Sequence, residues 1–420
     1  MRAPDHTRRV VVTGLGVISP VGNDRQTAWS NLLNGVSGIG QITKFDVTPY
    51  DQKAAGEVRD FVATDWMDAK AARRSEASLH YGVAAAKQAV ADSGFEITDQ
   101  NRTDVGVVFG SGAGGQSLMI DNFASLHERG PRTVAPTFIA NALVDSCSGM
   151  IAIETGAIGH NLCIVSACAT GTHNVAEAAE AIRRGDCIAI ISGSTEMPLL
   201  EVGHAGFGNM RGLGNPRPGE PITSVSRPFD LTRDGFVLGE GAGSLFLEDL
   251  ELAKARGARI YAEVVGYGSA ADGWDMIQPI EGGTGSARAM KMALERRGVP
   301  ADEVDLLNPH GTSTPLGDKR EAEAIWTVFG DHTPNISISA TKSMTGHMMG
   351  AAGAFEAFAT VLSIAEQTVP GTLNYRDRDP DCDLNIATET HQREIRYGLS
   401  NNIGLGGHNG AVIFKRYDGD

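Results

Sequence analysis

Short apolar runs recur along this chain, and most close on glycine or another small residue. The first is Val10-Val11-Val12-Thr13-Gly14-Leu15-Gly16. It predicts a buried strand ending in a Gly turn, because β-branched side chains suit a packed sheet and glycine tolerates the turn. Residues 104–110, 187–193 and 236–248 read the same way. Between them the pattern turns Ala-rich or amphipathic, which predicts helices over 24–33, 68–93, 174–184 and 250–257. The apolar run beginning at Cys163 has β character and leads into the helix at 174. Residues 203–227 are rich in Gly, Pro and Arg and predict an irregular surface loop.

From Arg259 the pattern starts again. Residues 260–266 parallel 10–16, and 304–311 parallel 104–110. Residues 335–340 lead through Gly346 into an Ala-rich helix at 350–364, as 161–167 lead into theirs. The expectation is a faint internal duplication, with halves at 1–257 and 258–420. Cys168 and the Lys342/His347 segment would then occupy equivalent strand-to-helix corners. Buried strands alternating with helices predict an α/β fold of mainly parallel sheets covered on both faces.

The 420 residues suffice for a large core. A net charge of −15 argues against a nucleic-acid or anionic-membrane binder. The five cysteines, Cys147, Cys163, Cys168, Cys187 and Cys382, show no CxxC pairing, so a disulfide framework or zinc site is disfavoured. The polar start of the chain lacks an apolar signal core, and no apolar run is long enough to span a bilayer. The expected location is the cytoplasm.

Three polar clusters sit at the ends of apolar runs, where α/β proteins place their sites. They are Cys168, the stretch Pro309-His310-Gly311-Thr312-Ser313-Thr314-Pro315, and Thr341-Lys342-Ser343-Met344-Thr345-Gly346-His347. Cys168 lies just before a helix, where orphan N–H groups and the positive dipole end favour a thiolate. The cysteine and histidines are far apart, with no carboxylate at ligand spacing, which points away from a metal. Cys–His nucleophilic chemistry needs only convergence in space. The glycines of Gly404-Leu405-Gly406-Gly407-His408 would let backbone N–H groups approach an oxyanion. The glycine cluster at 111–115 reads as a turn rather than a phosphate loop.

At nearly full length the chain resembles the β-ketoacyl-acyl carrier protein synthases of thiolase fold, type II in particular. The resemblance rests on Ser166-Ala167-Cys168-Ala169-Thr170-Gly171, on 234–243, on His310-Gly311-Thr312 and on 342–347, in that order. It implies a five-layered αβαβα architecture of two pseudo-symmetric halves. It implies Cys168 as nucleophile, His310 and His347 as the catalytic histidines, and Lys342 organising charge around them with Glu356 as its ion-pair partner. Backbone N–H groups of Cys168 and Leu405 would form the oxyanion hole. Thr312 and Thr314 would hold the carrier's phosphopantetheine arm. Ala113, Phe207, Ile403 and Leu405 would shape or gate the acyl pocket, and Arg73, Arg74 and Arg211 would dock the acidic carrier. The implied reaction is decarboxylative condensation of an acyl-enzyme with malonyl-acyl carrier protein, in fatty-acid elongation or, alternatively, in a type II polyketide or other specialised pathway. The implied assembly is a homodimer with no cofactor beyond the carrier's own arm.

Three positions depart from the family pattern. Leu405 and Ile403 stand where aromatic gates are usual, and Ala113 stands where isoleucine is common. Loss of the aromatic gate bears on the order of substrate entry, and the smaller side chain at 113 predicts medium-to-long or unusual acyl primers. A non-catalytic partner subunit is disfavoured by retention of Cys168, His310 and His347. A biosynthetic thiolase is disfavoured because Cys382 is followed by Asp383-Leu384, not by a Cys-x-Gly loop.

Overall fold

A computed structural model describes residues 8–419; the polar start, residues 1–7, lies outside the described residues. Ten strands form one continuous sheet. In chain order they are β1 (Val10–Ile18), β2 (Val105–Gly110), β3 (Asn161–Leu162), β4 (Ala189–Glu196), β5 (Gly241–Asp249), β6 (Ala262–Ala271), β7 (Val304–Asn308), β8 (Ser337–Ile338), β9 (Tyr397–Gly404) and β10 (His408–Lys415). Their order across the sheet is β8-β7-β9-β10-β6-β1-β5-β4-β2-β3. In the first half β2 pairs parallel with β3 and β4, and β5 pairs antiparallel with β4 and β1. In the second half β7 pairs parallel with β8 and β9, and β10 pairs antiparallel with β9 and β6. The two halves therefore share one topology, and the antiparallel β1–β6 pair joins them.

Six helices complete the layers: α1 (Ala77–Ser93), α2 (Ser146–Thr155), α3 (Thr170–Arg184), α4 (Thr284–Glu295), α5 (Pro315–Phe329) and α6 (Ala352–Glu366). Helices α1 and α2 cover the outer face of the first half, and α4 packs with α5 outside the second. Between the halves, α3 and α6 touch each other and strands of both. All thirteen residues of α6 from Ala352 to Ile364 are buried, as a helix in the middle of five layers must be. The result is the αβαβα arrangement that the resemblance implied.

One packing device appears twice. A Cβ on Gly14 or Gly16 of β1 would stand 2.0 or 1.9 Å from the carbonyls of Ala89 and Ala85 on α1. A Cβ on Gly266 or Gly268 of β6 would stand 2.2 or 1.9 Å from the carbonyls of Ala293 and Ala289 on α4. Glycine facing alanine lets each outer helix lie directly on its first strand.

The structure corrects three local expectations. Residues 163–165 are not a strand; pairing stops at Leu162, and the backbone then turns irregularly toward Cys168. The helix expected over 68–93 is broken into Ala69–Ala72 and α1, with Glu76 extended between them. The 203–227 segment is not wholly irregular, because a helix runs from Glu201 to Asn209 and buries His204. Among the described residues no helix is long and apolar enough to cross a membrane.

Candidate active site

The corners that follow β3, β7 and β8 meet at one point, together with the hairpin loop between β9 and β10. These are the carboxyl ends of the parallel strands, where the strand order leaves room for a ligand. Cys168 sits in a tight turn, Ala167–Ala169, immediately before α3. Its Sγ lies 3.0 Å from Nε2 of His347. The His310 ring stands edge-on to that of His347, with centroids 5.2 Å apart. Phe236 packs against the other side of His347 at 5.6 Å. Cys168, His310, Lys342 and His347 are all buried. A cleft of about 330 Å³ opens onto the sulfur, with Phe207, Thr312, Thr314, Ile403 and Leu405 in its walls. The Thr312 and Thr314 hydroxyls are 3.0 Å apart and face it together.

The backbone around this point is held in conformations that free chains avoid. Ala167, Ser313 and Met349 all have positive φ, at 51, 72 and 48°. Ala167 adjoins Cys168, Ser313 lies between Thr312 and Thr314, and Met349 itself lines the cleft; such strain persists only where neighbours enforce it. Thr170 Oγ1 accepts the Ser166 N–H at 2.9 Å, which fixes the turn before Cys168. Opposite it, a Cβ on Gly404 would stand 2.6 Å from the Ser166 carbonyl. Glycine there lets the 404–407 loop close on the nucleophile and aim the Leu405 N–H at Sγ.

Burial sets the electrostatics. The Cys168 thiol is pushed up to about 11 by desolvation, against the pull of the Leu405 N–H and the Lys342 cation. Burial therefore opposes the thiolate that the helix N-terminus favours. Both imidazoles are held well below the ordinary histidine value, first by burial and then by the Lys342 charge. They are neutral at neutral pH, each with one N–H and one lone pair. Lys342 is ion-paired with Glu356, and Glu356 also accepts from Asn402 Nδ2 at 2.6 Å.

Two site features carry no local sequence signal. Glu321, on α5, accepts the His310 N–H at 2.6 Å, the Gly311 N–H at 2.7 Å and Asn401 Nδ2 at 2.9 Å. It pins the His310 corner from below. Glu196, at the end of β4, accepts Ser111 Oγ and the Gly112, Ala113 and Gly350 N–H groups at 2.8 to 3.2 Å. It ties the 111–113 turn to the approach to α6. Burial pushes both carboxyls up to about 7, against these donors.

Ala113 is not among the residues lining the cleft; its N–H is turned to Glu196. Arg211 is exposed and stands at the cleft. Arg73 and Arg74 are exposed but do not line it; the Arg74 carbonyl meets Asn141 instead.

With that geometry in view, comparison with known proteins is direct. Residues 7–253 match the family described as Beta-ketoacyl synthase, N-terminal domain, and residues 261–376 match its C-terminal domain. The chain belongs to the β-ketoacyl synthase family. It is 43% identical over 412 residues to 3-oxoacyl-[acyl-carrier-protein] synthase 2 of Staphylococcus aureus strain N315, covering 98% of this chain and 99% of that one. It is 44% identical over 411 residues to the protein of that name from Vibrio harveyi, covering 97% and 99%. Among solved structures it resembles a β-ketoacyl synthase from Burkholderia phymatum STM815, with TM-score 0.89, 33% identity and coverage of 98% and 100%. It also resembles AntDE:AntF, a type II PKS acyl-carrier protein in complex with its ketosynthase bound to the hexaketide, with TM-score 0.90, 31% identity and coverage of 98% and 100%.

Proposed function

We infer that this chain is a condensing acyltransferase of fatty-acid elongation, a 3-oxoacyl-acyl carrier protein synthase with Cys168 as its nucleophile. The observation that carries the reading is the Cys168 Sγ–His347 Nε2 contact of 3.0 Å beneath an open cleft, with a second neutral imidazole beside it. In the first half-reaction His347 accepts the Cys168 proton as sulfur attacks the acyl thioester. The Sγ–acyl bond forms, the bond to the carrier's sulfur breaks, and the proton leaves on that thiol. In the second, malonyl thioester loses CO₂, and its enolate oxygen meets imidazole N–H groups of His310 and His347. The new carbon–carbon bond forms at the acyl carbonyl, whose oxyanion faces the N–H groups of Cys168 and Leu405. The Sγ–acyl bond then breaks, and a proton from solvent restores the thiol. A neutral imidazole has both groups the two steps call for, a lone pair to take the thiol proton and an N–H to meet the enolate oxygen.

Thr312 and Thr314 suit a pantetheine arm, and Arg211 at the mouth suits an acidic carrier. Ile403 and Leu405 stand in the cleft wall where bulkier gates are usual, which supports longer or unusual acyl primers. Ala113 would contribute only indirectly, through the 111–113 turn. The division at 257/258 follows the shared strand order of the halves. The acyl groups arrive on the carrier's own arm, and the reaction as written requires no further cofactor.

A homodimer is the assembly we propose. Strand β3 is an exposed sheet edge, whereas the opposite edge, β8, is bridged by Ile386. Helix α2, which packs on β3, carries exposed Ile153, and the segments packed in turn on it carry exposed Ile139, Leu143 and Phe123, apolar side chains that a second copy would cover. Operation as a cytoplasmic enzyme completes the reading.

A polyketide role is the second reading, favoured by the likeness to AntDE:AntF. The test is condensation of malonyl carrier with a panel of acyl carriers, in the wild type and Cys168→Ala. Elongation of saturated acyl chains by the wild type alone supports the first reading. Activity only on poly-β-keto chains supports the second, and elongation by Cys168→Ala overturns the mechanism.

A further inference from the structure

The buried ion pair Lys342–Glu356 cannot be satisfied by its two members alone. An ionised carboxylate removed from water needs donors for both oxygens. Lys342 serves Oε1, and Oε2 receives Asn402 Nδ2 at 2.6 Å. Glu356 is 1% exposed and Asn402 1%, so no water completes the shell from outside. The other end of the Asn402 amide accepts the hydroxyl of Thr172. Thr172 is fully buried and lies on α3, four residues beyond Cys168. The direction of the chain is set by chemistry. Glu356 can only accept, so the amide must present its NH₂ there and its oxygen to Thr172. Room for this arrangement comes from Gly353, where a Cβ would stand 2.5 Å from Thr172 Oγ1 and 2.9 Å from Asn402 Oδ1.

On the functional reading above, we propose that Asn402 is a positioning residue for condensation, joining the helix of the nucleophile to the Lys342–Glu356 pair and fixing the Lys342 cation beside the two imidazoles. It touches neither substrate nor the reacting atoms. It acts by holding the Glu356 carboxylate in place. Without the amide donor, that buried carboxylate loses its second partner and shifts, and the Lys342 ammonium paired with it is drawn away from the imidazoles. Its field at His310 and His347 then weakens. The ionisable groups facing the imidazoles are Cys168, Lys342 and each other, with Glu356 behind Lys342 and Glu321 on the His310 backbone. Of these, only the Lys342–Glu356 pair depends on Asn402 directly, so the imidazoles rise toward their ordinary value when it is lost.

The experiment compares wild type, Asn402→Leu, Asn402→Ser and Thr172→Val in two assays across pH. One follows acyl transfer from carrier to Cys168 by intact mass. The other follows CO₂ release and condensation. Asn402→Leu is expected to lose less in acylation of Cys168 than in condensation, although acylation also feels the change because His347 takes the Cys168 proton and Lys342 favours the thiolate. Its condensation is expected to fall about tenfold to a hundredfold, the range set by one charge-assisted hydrogen bond. The acid limb of its condensation profile is expected to move to higher pH, because protonated imidazoles appear sooner. Thr172→Val, which frees the amide to rotate, should move the limb the same way by less, and Asn402→Ser should restore part of the loss. Should Asn402→Leu not fold, the other two variants decide, and an unmoved acid limb in both overturns the proposal. Equal loss of acylation and condensation with an unmoved limb overturns it too, as a purely structural role would. A wild type that does not condense acyl with malonyl carrier refutes the functional reading itself and not this linkage alone.

Discussion

A helix N-terminus beside a cysteine suggests a standing thiolate, and the buried site argues the reverse. The perturbation that separates them is a pH titration of Cys168. With its thiol pushed up to about 11, the free enzyme at pH 7 holds about one thiolate in ten thousand at this position, four pH units below the midpoint. The Leu405 N–H and Lys342 pull toward the thiolate but do not overcome the lost hydration. The assay is thiolate ultraviolet absorbance of the wild type minus that of Cys168→Ala. No step is expected between about pH 5 and 8, the range in which dipole-activated and imidazolium-paired cysteines already absorb. A step there, lost in Cys168→Ala, would refute the reasoning, and His347 would then be a standing imidazolium rather than a base that takes the proton during attack.

Three further outcomes follow from the same geometry. Glu321→Gln sets an amide NH₂ against donors that now meet a carboxylate oxygen, and should lower stability by about 2–4 kcal/mol in denaturant titration with a larger loss of condensation. Gly404→Ala should lose more than about tenfold in acylation, since its Cβ would press on the Ser166 carbonyl at 2.6 Å and push the turn before Cys168 out of place. The two buried imidazoles sit below their unfolded value, so the unfolded chain binds protons that the folded chain does not. Their contribution to stability is complete above about pH 6.5 and is lost as pH falls below it. Replacing both by asparagine should flatten the acid side of a plot of denaturation midpoint against pH; an unchanged slope counts against neutral, buried rings.

The strands were legible because their apolar runs end on glycine, and the repeat was legible because β1 and β6 use the same Gly–Ala contact with their helices. Cys168, His310, Lys342 and His347 could be named because each follows a buried run at a polar corner. Their meeting required the two-half topology. Glu196, Glu321 and Asn402 were not legible, because each has a partner far away in sequence: Ser111 lies 85 positions from Glu196, Asn401 80 from Glu321 and Glu356 46 from Asn402. For Cys168 a local feature favours the anion, and the burial that opposes it comes from elements distant in sequence. Ala113 was named from the family resemblance, and only the fold reveals that its backbone N–H is held by Glu196.

The account stands on one sulfur carrying the growing chain. Intact mass of the wild type after incubation with acyl carrier should rise by a single acyl group, mapped to Cys168. Addition of malonyl carrier should return the protein to its starting mass as β-ketoacyl carrier appears. An acyl group mapped to another residue, or β-ketoacyl product formed by Cys168→Ala, would contradict it.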